Sequence, residues 1–182
     1  DTITLLADAD FVNTSKTLTF KGATGKEKLT LGQAYGTQSG GMTFEDLTMV
    51  WTNENYKGLQ HIGKEKYVNC VIEGQPYGSK NATFTECTFN SAGKAVLVYK
   101  EGAKASEPYS VTFEKCKFNA SETVSGKAAI EIGSNLWSYN VTIKDCTFAD
   151  TFDTAVSSGN NHWNAKNYAE GTENHSITVD GT

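Results

Sequence analysis

Four cysteines carry the most reactive side chains in this sequence: Cys70, Cys87, Cys116 and Cys146. Their spacing limits what they can do. No Cys-x-x-Cys occurs, so a zinc knuckle is not expected. Their even number would allow two disulfides, but all four fall at one position of a repeat, shared with Leu47. The expected arrangement is therefore a column of small buried thiols, shielded from oxidants even outside a cell. The nearest approach to a catalytic acid pair is Asp150 and Asp153, in Phe148-Ala-Asp-Thr-Phe-Asp-Thr154. Two carboxyl groups are what glycoside hydrolysis requires, yet aspartates of this kind are also ordinary turn residues. The three histidines, His61, His162 and His175, form no His-x-x-x-His pair, and there is no Gly-x-Ser-x-Gly elbow. No metal, cofactor or nucleophilic triad is expected. All sixteen basic residues are lysine, so the bidentate fork that usually binds carboxylates is missing.

Aromatic residues offer a different chemistry. Tyr35, Tyr77, Tyr109, Trp137, Tyr139, Trp163 and Tyr168 each precede an apolar run, while Trp51 and Tyr56 are read as lying in a loop of another class. If the runs stack, these rings project from one edge and suit sugar faces or a protein surface. The candidate ligand-binding residues are Tyr77, Tyr109, Trp137, Tyr139, Trp163 and Tyr168. The competing reading is that each ring covers the edge of its own unit.

The elements that must position these residues follow from five segments: Phe44-Glu-Asp-Leu-Thr-Met49, Tyr67-Val-Asn-Cys-Val-Ile72, Phe84-Thr-Glu-Cys-Thr-Phe89, Phe113-Glu-Lys-Cys-Lys-Phe118 and Ile143-Lys-Asp-Cys-Thr-Phe148. Side chains on one face of a strand recur every second residue. Val111 and Phe113 obey that period, as do Cys116 and Phe118, but the step from Phe113 to Cys116 is three. Both pairs face one interior only if the chain turns a corner at Glu114-Lys115. The equivalent pairs Glu45-Asp46, Thr85-Glu86 and Lys144-Asp145 are polar, as an exposed corner requires, and Val68-Asn69 partly so. A third apolar segment follows most units: Gly58–Ile62, Ala95–Val98, Ala128–Ile132 and Ala155-Val156. Repetition at this period implies a stacked array.

The first-strand positions are Phe20, Phe44, Tyr67, Phe84, Phe113, Ile143 and Val179, with steps of 24, 23, 17, 29, 30 and 36 residues. The step of 17 leaves little room for a third strand, so Glu73–Asn81 is expected to form a tight bend. Lys28–Leu31 is expected to be the third side of its unit, with a corner at Lys21-Gly22 and a helical or loop cap at Ala7–Phe11. Thr182 falls in the cysteine column. The chain stops partway through a unit, which leads us to expect one piece, residues 1–182, of a longer surface or secreted protein.

The chain has 182 residues and a net charge of -5. That is enough for one domain with a core, and nucleic acid is not an expected partner. No run of eighteen apolar residues would span a membrane. Five Asn-x-Ser/Thr sequons, at Asn13, Asn81, Asn119, Asn140 and Asn174, are what a chain rich in Asn, Thr and Ser produces by composition.

With these units the sequence resembles the right-handed parallel β-helix of the pectate-lyase-like superfamily, and in particular the Val-Thr-Ile-x-x-Cys-x-Phe repeats of Gram-positive bacterial surface proteins and adhesins. The resemblance covers about residues 17–157. It implies an all-β solenoid of six to seven coils with three short strands per coil, roughly 30 Å long at about 4.8 Å per coil. An antiparallel sandwich is the alternative. The resemblance implies either a polysaccharide-active enzyme or a non-catalytic binding shaft, and fold alone does not choose. The expected function is a monomeric, non-catalytic binding region, extracellular or at the cell surface, recognising a host protein such as immunoglobulin or mucin, or a glycan. A polysaccharide lyase or hydrolase using Asp150 and Asp153, and a structural spacer, are the alternatives.

Overall fold

A computed structural model describes residues 1–12, 16–31, 41–52, 64–74, 77–78, 81–91, 96–98, 109–120, 124–132, 139–158 and 175–182. The described residues form strands and no helix. In chain order these are β1 (Thr2–Leu5), β2 (Ala9–Asp10), β3 (Thr19–Gly22), β4 (Lys28–Leu31), β5 (Thr43–Glu45), β6 (Thr48–Trp51) and β7 (Lys66–Val68). There follow β8 (Val71–Glu73), β9 (Tyr77–Gly78), β10 (Ala82–Thr85), β11 (Thr88–Ser91), β12 (Val96–Val98) and β13 (Tyr109–Glu114). The last are β14 (Lys117–Ala120), β15 (Val124–Ile132), β16 (Tyr139–Lys144), β17 (Thr147–Phe148), β18 (Phe152–Ser158) and β19 (His175–Asp180).

They assemble into three sheets. The first has eight strands in the order β1-β3-β5-β7-β10-β13-β16-β19, the second seven in the order β17-β14-β11-β8-β6-β4-β2, and the third four in the order β18-β15-β12-β9. Every pairing is parallel, from β1 on β3 to β16 on β19. Each sheet pairs a strand with its counterpart one unit away, which is compatible with a β-helix or solenoid. The antiparallel sandwich is excluded.

Register follows the apolar frame. In the first sheet Ile3, Phe20, Phe44, Tyr67, Phe84, Phe113, Ile143 and Val179 stand opposite one another in turn. Stacking makes ring columns: Tyr67 on Phe84 at 4.5 Å and Phe84 on Phe113 at 5.1 Å. The second sheet has its own column, with Phe89 on Phe118 at 4.7 Å and Phe118 on Phe148 at 4.6 Å. The columns meet edge to face, as Phe113 does with Phe118 at 5.6 Å and 67°. These are the offset and T-shaped arrangements that aromatic quadrupoles favour.

The parity break between first and second strands is a corner built on one unusual residue. Asp46, Asn69, Glu86, Lys115 and Asp145 all have φ between 51° and 56°, and Gly181 has 61°. One left-handed residue re-aims the next side chain inward. Its N–H still bonds to the neighbouring unit: Asp46 to the Val68 carbonyl at 3.1 Å, Asn69 to Thr85 at 2.9 Å, Lys115 to Lys144 at 2.8 Å. Asn and Gly accept this conformation readily, whereas Glu86 and Lys115 hold it against their intrinsic preference.

Four expectations are corrected. Ala7–Phe11 is not a helical or loop cap: Ala9 and Asp10 form β2, paired with Leu29 and Thr30. Lys28–Leu31 belongs to the second sheet, where Leu29 stands opposite Met49 and Leu31 opposite Trp51. Lys21-Gly22 is not a corner but the end of β3. Phe20 to Leu29 is nine residues where Phe44 to Met49 is five, so the corner there takes four extra residues. Glu73–Asn81 is not a bare bend, because Tyr77 and Gly78 pair with Leu97 and Val98 in the third sheet. Two residues suffice for that strand, which is why the short step leaves room for it. The segments Ala128–Ile132 and Ala155-Val156 lie in β15 and β18, and Val96–Val98 is β12. Gly58–Ile62 lies outside the described residues.

Candidate functional site

Two features are the candidates for chemistry: the corner column with its thiols, and the edge on which the aromatic residues are expected.

The corner column is fixed by backbone hydrogen bonds. Thr48 N–H donates to the Glu27 carbonyl, Val71 to Leu47, Thr88 to Cys70, Lys117 to Cys87 and Thr147 to Cys116, all at 2.9 Å. Glu27, Leu47, Cys70, Cys87, Cys116 and Cys146 therefore occupy successive levels. Thr182 follows, its hydroxyl accepting from the Cys146 N–H at 3.2 Å. All four cysteines are free and buried. Each thiol donates to a carbonyl one unit back: Cys70 to Phe44 at 3.4 Å, Cys87 to Tyr67 at 3.5 Å, Cys116 to Phe84 at 3.4 Å and Cys146 to Phe113 at 3.6 Å. Cys87 lies between Cys70 and Cys116 in the column. Those two neighbouring thiols, and burial after them, push the Cys87 thiol up. At this spacing the column packs as small apolar groups, and Leu47 occupies one level.

Glu27 heads this column and is 6 % exposed. Its carboxylate accepts from the Thr24 hydroxyl at 2.8 Å and the Thr24 N–H at 3.1 Å. The Thr24 hydroxyl is the main cause that holds it at about 2 rather than 4.5, with burial opposing. A folded-state value below the unfolded one means stability that is present above pH 4.5 and lost as pH falls toward 2. Acid titration is expected to destabilise the wild type across that interval and Glu27→Gln less so. Equal acid sensitivity in urea midpoints measured from pH 5 to pH 2 would refute the assignment.

Two other buried polar groups escaped sequence reading. Glu65 is 1 % exposed in the column that otherwise holds Leu18, Met42, Ala82, Val111 and Val141. Its position two residues before Tyr67 was the available signal, since period two turns both inward. The Tyr67 hydroxyl is pushed well up by burial and, secondly, by the Glu65 charge. Trp51 is not a loop residue. It ends β6, is 7 % exposed, and its ring lies 6.3 Å from that of Tyr67. Its indole N–H has no hydrogen-bond partner among the described residues.

The corner acids bear ion-pair ladders. Lys21 reaches Glu45 and Asp46 at 3.3 Å each, Lys144 reaches Glu114 at 3.3 Å, and Lys115 reaches Glu86 at 3.8 Å. The Asn69 amide, first, and Lys21 hold the Asp46 carboxyl below its ordinary value. Exposed pairs of this kind contribute about 0–1 kcal/mol each. Asp150 and Asp153 are both exposed, the first in a turn and the second in β18. Among the described residues no three His, Cys, Asp or Glu side chains are placed to hold a metal ion. No helix among them is long and apolar enough to cross a membrane.

The aromatic candidates divide. Tyr109 and Tyr139 open β13 and β16 and stand opposite each other, with His175 next in the same row. Tyr139 is 8 % exposed, so its ring belongs largely to the interior. Tyr77 is a strand residue of the third sheet. Trp137, Trp163 and Tyr168, with Tyr35, Tyr56, His61 and His162, lie outside the described residues. The connections from β12 to β13, β15 to β16 and β18 to β19 each run from the third sheet to the first. The strands they join are in register, so all three leave and rejoin the stack along one edge.

No protein-family model matches the chain, and neither a curated protein nor a solved structure matches it significantly.

Proposed function

We propose that the chain is a right-handed parallel β-helix of the pectate-lyase-like kind, with six to seven coils of three short strands, from a bacterial surface or secreted protein. It acts as a non-catalytic binding region that recognises a host protein or a glycan through aromatic loops along one edge. Right-handedness follows from the strong bias of parallel crossover connections. The observation that carries the binding reading is the shared edge of the third-to-first-sheet connections, two of which contain Trp137 and Trp163. Aromatic anchors at regular levels suit a surface that binds by stacking and burial.

The test is binding to a glycan array and capture from host secretions, comparing the wild type with Trp137→Ala and Trp163→Ala. Tyr139 is left intact because it is largely buried. Loss of binding by tenfold or more, at unchanged thermal stability, is the expected result. Undiminished binding by the double variant would remove this edge from consideration.

A further inference from the structure

The cysteine column has a chemistry that packing alone does not use. We infer that it is an oxidisable site in which only neighbouring levels pair, Cys70 with Cys87 and Cys116 with Cys146. Parallel neighbours lie about 4.8 Å apart, inside the Cα separation of roughly 4.4–6.8 Å that a disulfide bridges. Two levels are about 10 Å apart, so Cys70–Cys116 and Cys87–Cys146 bonds are out of reach. The levels are joined on the backbone by the bonds from Thr88, Lys117 and Thr147. The Cys146 sulfur sits 3.4 Å from the Cys116 backbone N, and each cysteine sulfur lies 3.4–3.6 Å from a backbone carbonyl of the level before it. A Cys87–Cys116 bond would strand the outer two thiols, so complete oxidation gives the two pairs named.

The oxidant is a hydroperoxide, such as hydrogen peroxide. One thiol sulfur attacks the peroxide oxygen, the O–O bond breaks, and sulfenic acid and water form. The neighbouring thiol sulfur then attacks the sulfenic sulfur: the S–S bond forms, the S–O bond breaks, and hydroxide leaves with the thiol proton as a second water. Each pair loses two hydrogens, and one peroxide is reduced to two waters. The four residues are 0–3 % exposed, so reaction passes through transient opening between levels and quickens in sub-denaturing urea.

The experiment incubates the full chain with hydrogen peroxide in low urea, then denatures, alkylates, and reads intact mass and peptide linkage. The expected product has no alkylatable thiol and contains Cys70–Cys87 and Cys116–Cys146, reversed by dithiothreitol. In Cys116→Val the expected product keeps only Cys70–Cys87, with Cys146 left unpaired. Four alkylatable thiols at a urea concentration where hydrogen exchange shows the levels opening, sulfinic acids in place of disulfides, or bonds that skip a level would each overturn the inference. The wild-type linkage map decides the matter even if the variant does not fold.

Discussion

Replacing Phe113 by alanine is expected to lower the free energy of unfolding by about 3–5 kcal/mol, the range for deleting a buried aromatic ring. Phe113 is fully buried. It stacks on Phe84 at 5.1 Å and meets Phe89 and Phe118 edge to face at 6.0 Å and 5.6 Å. Removal therefore leaves a void between two ring columns that the in-register strands β10, β13 and β16 cannot close without slipping. Phe20, near one end and 8 % exposed, should cost less, because its ring stacks on Phe44 at 5.7 Å with fewer buried rings around it. Urea denaturation of both variants measures the difference. A Phe113→Ala loss below about 1.5 kcal/mol would contradict a rigid stacked column.

Gly22→Ala is expected to destabilise by about 2–3 kcal/mol although it adds one methyl group. Gly22 is buried at the end of β3. A β-carbon there would collide with the Asp46 backbone carbonyl and lie 2.8 Å from the Glu27 carboxylate. Backbone cannot swing aside as a side chain can, so the levels on either side must separate. That separation also disturbs the Thr24–Glu27 hydrogen bonds at the head of the thiol column. Gly25 is the internal control: its φ is 78°, but open space surrounds the position of a β-carbon. Alanine there meets only the backbone penalty of a left-handed residue, about 1–2 kcal/mol. Equal stability of Gly22→Ala and wild type would show that the levels are not packed as closely as described.

The frame of apolar residues was legible because its period breaks at one place in every unit, and a break repeated five times is geometry. Stacking of Phe20, Phe44, Tyr67, Phe84, Phe113, Ile143 and Val179 follows from it. How the corner turns was not legible: Glu86 and Lys115 are poor left-handed residues, and only the neighbouring level's carbonyl makes their conformation worthwhile. β9 was hidden because a strand of two residues, Tyr77–Gly78, carries no period. The burial of Tyr139 and Trp51 was legible in principle. Tyr139, Val141 and Ile143 alternate, as do Met49 and Trp51, but reading Tyr139 by type as a binding residue and Trp51 as a loop residue masked their parity. Glu27 and Glu65 were missed for the converse reason, since a carboxylate is read as exposed until its position in the frame is considered. The catalytic and binding roles of single residues have no such periodic signature.

The parallel pairing of all three sheets also fixes how the molecule meets force. Inter-strand hydrogen bonds run along the stacking direction, so a pull between the two ends loads successive rungs one after another rather than together. The chain should then lengthen in steps, each releasing one level while those behind it stay folded. A stack that gives way a rung at a time absorbs a tug that would shear a sandwich in one event.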